Sequence, residues 1–169
     1  MRTVTFKNVY VQARSAVVGP LEKEGPLGSL FDKSYEDAYC GESSFEKAER
    51  VLLGDAVDLT LRKAGKGVQD IDLLVGGDLI NQLTSSHYFA KDLEVPFLGM
   101  YGACSTSSLV IGTGAVWVEH GLARQVLAFT SSHVATAERQ FRFPNEYGIQ
   151  KKETTTSTVN GCRCCFIIE

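Results

Sequence analysis

Two short, nearly continuous apolar runs constrain this chain more than any other feature: Asp70-Ile71-Asp72-Leu73-Leu74-Val75-Gly76-Gly77 and Gln125-Val126-Leu127-Ala128-Phe129-Thr130. Apolar runs of that length without polar alternation are strands covered on both faces, as in an α/β sheet. Pro96-Phe97-Leu98-Gly99-Met100-Tyr101 reads as another inner strand, and residues 9–18 have strand composition up to Gly19-Pro20. Residues 154–159 suit one more. Helical patterns fall between the runs. Ser43 with Glu46 forms a capping-box pattern, and Phe45, Ala48, Leu52, Ala56 and Leu59 recur at helical spacing until Gly65. A second helix is expected from about Ser85 through Leu93, before Pro96. Residues 109–118, apolar nearly all round, read as a buried helix in which Gly112 and Gly114 allow another backbone to approach. Residues 22–32, rich in Gly and Pro, read as an ordered loop in which Leu27, Leu30 and Phe31 have something to bury. Residues 136–148 look too mixed for regular structure. Strands alternating with helices imply one α/β domain with a mixed or largely parallel sheet.

Composition narrows the function. With 169 residues the chain builds a full core without metal or disulfides, and 44% hydrophobic with 22% charged residues is ordinary for a globular protein. No window approaches the ~18 apolar residues of a membrane span. A net charge of -3 argues against a nucleic-acid surface, and the first residues lack the apolar core of a secretory signal, so a cytoplasmic origin is expected. Five cysteines, three of them crowded in Cys162-Arg163-Cys164-Cys165, form neither a disulfide framework nor the two separated pairs of a structural zinc site. Reduced thiols, no metal and no cofactor are the expectation.

The chemistry gathers where apolar runs end. Asp78 and Asn81 follow the Asp70–Gly77 run at the carboxyl edge where open α/β sheets bind ligands, although a helix cap or turn serves the Asp as well. Tyr101-Gly102-Ala103-Cys104-Ser105-Thr106-Ser107-Ser108 delivers Cys104 from an inner strand to the start of the apolar helix. Helix-start N–H groups and the helix dipole favour an anion there, whether a thiolate, an oxyanion or a bound carboxylate. The plain alternative for Cys104 is a buried thiol. Ser131-Ser132-His133 ends the next run.

The Gly102-Ala103-Cys104-Ser105-Thr106-Ser107 turn resembles the nucleophile turn of the thiolase and ketoacyl-synthase superfamily. Together with Gly25-Pro26-Leu27-Gly28-Ser29-Leu30-Phe31-Asp32, Gly77-Asp78-Leu79-Ile80-Asn81-Gln82 and the stretch from Ser131 to Pro144, it resembles the stage V sporulation protein AD family, thiolase-like proteins of spore-forming bacteria. The resemblance implies one half of a thiolase-like fold over residues 1–169. It also implies a protein that binds dipicolinic acid or its calcium chelate for uptake into or release from the spore, rather than an enzyme. It points to Asp78, Cys104 and His133 as ligand-binding residues, with Asn81, Arg139 and Gln140 behind them; Arg142, Phe141 and Phe143 complete a donor-and-ring set. Salt bridging is the ordinary alternative for Arg139 and Arg142. The implied partners are other stage V sporulation membrane proteins and a second copy of the chain, and the implied location is peripheral, at the spore inner membrane. Thiolase-type enzymes take their catalytic His and Asn, or a second Cys, from a second half that this sequence does not include. An acyl-thioester enzyme using Cys104 and a non-functional product remain the alternatives. Residues 162–169 depart from the small, aliphatic strand expected of the family and read as a frameshifted end, which the coding DNA tests.

Overall fold

The computed structural model describes residues 3–141 and 157–169. Its strands are β1 (Tyr10–Val18), β2 (Lys33–Ser34), β3 (Leu73–Gly77), β4 (Phe97–Gly99), β5 (Gln125–Ser132) and β6 (Gly161–Ile168). They form a six-stranded sheet in the order β2-β1-β6-β5-β3-β4. β3 runs parallel to β4 and β5, β1 runs parallel to β2, and β6 is antiparallel to both neighbours. The sheet is therefore mixed. The helices are α1 (Pro20–Glu24), α2 (Phe45–Ala64), α3 (Thr84–Lys91), α4 (Thr106–Glu119) and α5 (Val134–Phe141).

Two apolar layers hold the sheet. On one face the inner side of α2, through Leu52, Leu53, Ala56 and Val57, packs on Leu74, Leu127, Phe129, Cys164 and Phe166. On the other, Val110 and Val118 of α4 meet Val75, Val126, Ala128 and Ile167. Each fully buried Leu or Phe contributes about 1.5–3 kcal/mol, so these layers dominate the favourable side of folding. Ser44, one residue later than the sequence pattern suggests, caps α2: its Oγ accepts from Lys47 N at 3.3 Å, and Gly65 closes the helix at φ 65°. The two glycines ending β3 have a steric reason. A Cβ at Gly76 would overlap the Phe129 ring, and one at Gly77 would overlap the Met100 carbonyl oxygen.

Several expectations change. β4 is a short edge strand rather than an inner one. Leu27 and Leu30 are 58% and 75% exposed; the loop is ordered by a 3-10 turn at Gly28–Leu30 and by backbone bonds instead of by burying them. Residues 134–141, partly inside the stretch read as irregular, form α5, whose first turn is tied by Ala137 N donating to the His133 carbonyl. The last strand among the described residues is β6; of the strand expected at 154–159, residues 154–156 lie outside the described residues and 157–159 have no regular structure. Alternation explains how β6 tolerates its composition. Cys162, Cys164 and Phe166 enter the α2-side core as small or aromatic apolar groups, while Arg163 faces the opposite side. Burial pushes the Cys162 and Cys164 thiols well up, which keeps them neutral. Among the described residues no helix is long and apolar enough to cross a membrane.

Candidate functional site

Cys104 lies in a 3-10 turn, Ala103–Ser105, that feeds α4. Ala103 is held at φ 47°, a left-handed conformation that costs a non-glycine residue about 1–2 kcal/mol and turns the chain sharply before the thiol. The turn is pinned on both sides. Thr106 Oγ1 accepts from Gly102 N (3.0 Å) and donates to the Ala103 carbonyl (2.8 Å), and Ser105 Oγ donates to the Gly102 carbonyl (2.7 Å). With those hydroxyls so engaged, no side chain caps the first turn of α4; Ser105 N and Thr106 N donate to the Gly102 and Ala103 carbonyls, so the 3-10 turn runs directly into the helix.

The Cys104 thiol is exposed and opens onto a cavity of about 720 Å³. Its floor is the α4-side face of the sheet: Ala16 and Val18 of β1, Thr130 and Ser132 of β5, and Arg163 of β6. Phe31 supplies an aromatic wall and Leu79 an aliphatic one, while Ser107 and Thr158 add hydroxyls. Among the described lining residues Arg163 is the one cation, and no carboxylate is present.

The other residues proposed from sequence are placed differently. Asp78 is buried; its Oδ1 accepts from Ile80 N (2.8 Å), and its Oδ2 accepts from Ser86 N (2.7 Å) and Ser86 Oγ (2.6 Å). It ties the end of β3 to α3, the turn role weighed above, and both oxygens are engaged before any calcium chelate arrives. His133 is buried against Phe45. Its Nε2 donates to the Ala38 carbonyl (2.8 Å) and its Nδ1 accepts from Ala135 N (3.2 Å), so the ring is a neutral Nε2–H tautomer with both nitrogens occupied. Burial pushes its pKa down, in keeping with that neutral form. Arg139 ion-pairs with Glu46, Gln140 is exposed on α5, and Asn81 is exposed in the turn before α3. Of the six, Cys104 alone lines the cavity; Arg142 and Phe143, and the side chain of Phe141, lie outside what is described. Arg163 was missed. Its signal was present in the Cys162-Arg163-Cys164 alternation, which sends the arginine to the face opposite the core thiols. No group of three or more metal-ligating side chains is found among the described residues.

Behind the cavity wall sits a buried acid. Glu49 of α2 accepts from Ser131 Oγ (2.8 Å) at Oε1 and from Thr136 Oγ1 (3.0 Å) at Oε2. Burial first, and the Asp78 charge second, push its carboxyl up to about 7.

The stage V sporulation protein AD (SpoVAD) family profile matches residues 1–169. The chain belongs to this family. Stage V sporulation protein AD of Bacillus subtilis (strain 168) is 52% identical over 153 residues, covering 90% of this SpoVAD-family chain and 45% of that protein. The chain thus spans about half the length of that curated relative. Among solved structures, 3-oxoacyl-(acyl-carrier-protein) synthase III from Aquifex aeolicus VF5 superposes with a TM-score of 0.63 at 13% identity, over 96% of this chain and 54% of that one. A cysteine-to-serine variant of Xanthomonas campestris OleA, with bound lauric acid and lauroyl-CoA, gives 0.61 at 11%, over 97% and 57%. The priming β-ketosynthase of the R1128 polyketide pathway gives 0.60 at 15%, over 99% and 52%. At such identities the likeness concerns fold: the chain has a thiolase-like α/β architecture.

Proposed function

We propose that this SpoVAD-family chain provides part of a sporulation protein that binds dipicolinic acid, free or as its calcium chelate, for movement into or out of the spore. The observation that carries this reading is the cavity at the Cys104 turn. It combines a helix start that no side chain caps, hydroxyl donors and an aromatic wall, with no carboxylate among the described lining residues to repel an acid. A planar pyridine dicarboxylate needs those features. Titration calorimetry with dipicolinate, with and without Ca²⁺, tests the proposal: saturable binding is expected. Cys104→Ala should weaken it by about 2- to 10-fold, the range of one neutral contact, with the far-ultraviolet circular dichroism unchanged. No saturable heat with either form of the ligand would sink the reading.

Acyl-thioester chemistry is the second reading, favoured by one observation, an exposed Cys104 on a cavity wall in a fold shared with synthases. Against it, Cys104 has no basic partner among the described residues, and both ring nitrogens of His133 are engaged elsewhere. Incubation with an acyl-CoA distinguishes the two: the enzyme reading requires an acyl mass increase at Cys104, and the binding reading expects none. Self-association, membrane-protein partners and a peripheral place at the spore inner membrane belong to the same proposal. Exposed Leu109 and Val116 on α4 support the first of these.

A further inference from the structure

The cavity floor holds a charge that the dipicolinate reading does not by itself require. Arg163 stands on β6, one of the two central strands of the sheet, opposite Ala16 of β1 and Thr130 of β5, on the α4 side where the floor is otherwise apolar or hydroxylic. It forms none of the ion pairs found among the described residues. A cation in mid-sheet is disfavoured where packing covers both faces, so its place is explained by the cavity that opens over it. The guanidinium fork matches a carboxylate in a way that the surrounding serine and threonine hydroxyls do not. Arg14 makes an informative contrast. It pairs with Cys165 on the same face of the sheet, a diagonal neighbour of Arg163, yet it does not line the cavity.

Taking the cavity as the ligand site, as proposed above, we infer that Arg163 is its carboxylate anchor, so that the site selects small amphipathic carboxylates. One acid group sits on Arg163 and the body lies against Phe31, Val18 and Leu79. Among the described lining residues no second cation faces it, so with these residues one carboxylate supplies most of the electrostatic attraction. A monocarboxylate such as pyridine-2-carboxylate therefore binds nearly as well as the 2,6-dicarboxylate, and the neutral 2,6-dicarboxamide binds poorly.

Two measurements on the whole chain test the anchor. The first reads the field at Cys104, the exposed thiol of the same cavity, without relying on any natural ligand. Anionic iodoacetate and neutral iodoacetamide alkylate Cys104 at rates followed by peptide mass spectrometry. The ratio of the two rates should fall about three- to ten-fold in Arg163→Gln, as expected for losing one charge at cavity distance. It should hold in Arg14→Gln and in Arg163→Lys, which keeps the charge. An unchanged ratio in Arg163→Gln overturns the inference. If that variant fails to fold, the wild-type ratio must fall with added salt, and a salt-independent ratio overturns the inference equally. The second measurement is dipicolinate and pyridine-2-carboxylate titration. Arg163→Gln should cost about 10- to 100-fold, and Arg163→Lys part of that, because its ammonium cannot form the fork. Equal binding by wild type and Arg163→Gln removes the anchor and leaves the dipicolinate reading standing. A lowered alkylation ratio without any dipicolinate binding does the reverse.

Discussion

Glu49 is an acid set inside the core, with the Ser131 and Thr136 hydroxyls donating to it and no ion-pair partner among the described residues, and that arrangement has a measurable pH signature. Its carboxyl titrates near 7 in the folded protein, against an ordinary value of 4.5. Between those values the folded state keeps a proton that the unfolded chain has released. Stability therefore falls as pH rises through that window and levels off above it. Glu49→Gln removes the titration while keeping the shape. From pH 4.5 to 8 the wild type should lose roughly 3 kcal/mol relative to the variant. His133 acts in the opposite direction: held neutral by burial, it withdraws stability as pH falls below its ordinary 6.5. The difference between the two proteins in urea unfolding, rather than either curve, isolates Glu49; parallel curves would refute the assignment. Because Ser131 both donates to Glu49 and lines the cavity, the same acid holds part of the wall in place.

At the scale of elements, α4 shows how one helix serves two environments. Thr106, Val110, Gly114, Ala115 and Val118 form its buried stripe, whereas Leu109 and Val116 are 36% and 39% exposed. Its two glycines are not equivalent. A Cβ at Gly112 meets nothing within 4 Å, but one at Gly114 would stand 3.0 Å from Ile167 Cδ1 and 3.1 Å from Val126 Cγ1. Gly112→Ala should therefore stabilise the protein by about 1 kcal/mol, the propensity difference. Gly114→Ala should gain nothing, because crowding offsets that term. Thermal unfolding decides, and equal gains would mean that α4 does not press Gly114 onto β5 and β6. What was readable in the sequence follows local physics: α2 by its cap and stripe, β3 and β5 by unbroken apolar runs, Cys104 by its small-residue turn. What was unreadable depends on distant partners. Nothing near Asp78 announces that Ser86 closes on it, nothing near His133 that Ala38 accepts its N–H, and β6 is a strand because β1 and β5 stand on either side of it.

For the whole molecule, the outward side of α4 and the exposed Leu27 and Leu30 leave apolar surface beyond what the two layers bury. The double substitution Leu109→Glu, Val116→Lys should change stability by no more than about 0.5 kcal/mol, because neither side chain belongs to the core. It should also shift sedimentation toward the monomer. An unaltered sedimentation profile would place self-association on another surface. The sheet order carries a different consequence. β6, the last of the six described strands in the chain, is the rung between β1 and β5, and Tyr10 pairs with Ile168 across nearly the whole sequence. A chain emerging from the ribosome therefore holds two separate ribbons, β1 with β2 and β3 with β4 and β5, each with an open edge where β6 will lie. Until residues 161–168 arrive, those edges are free to pair with other nascent chains, and closure is a late, two-sided zipping step rather than growth from one end.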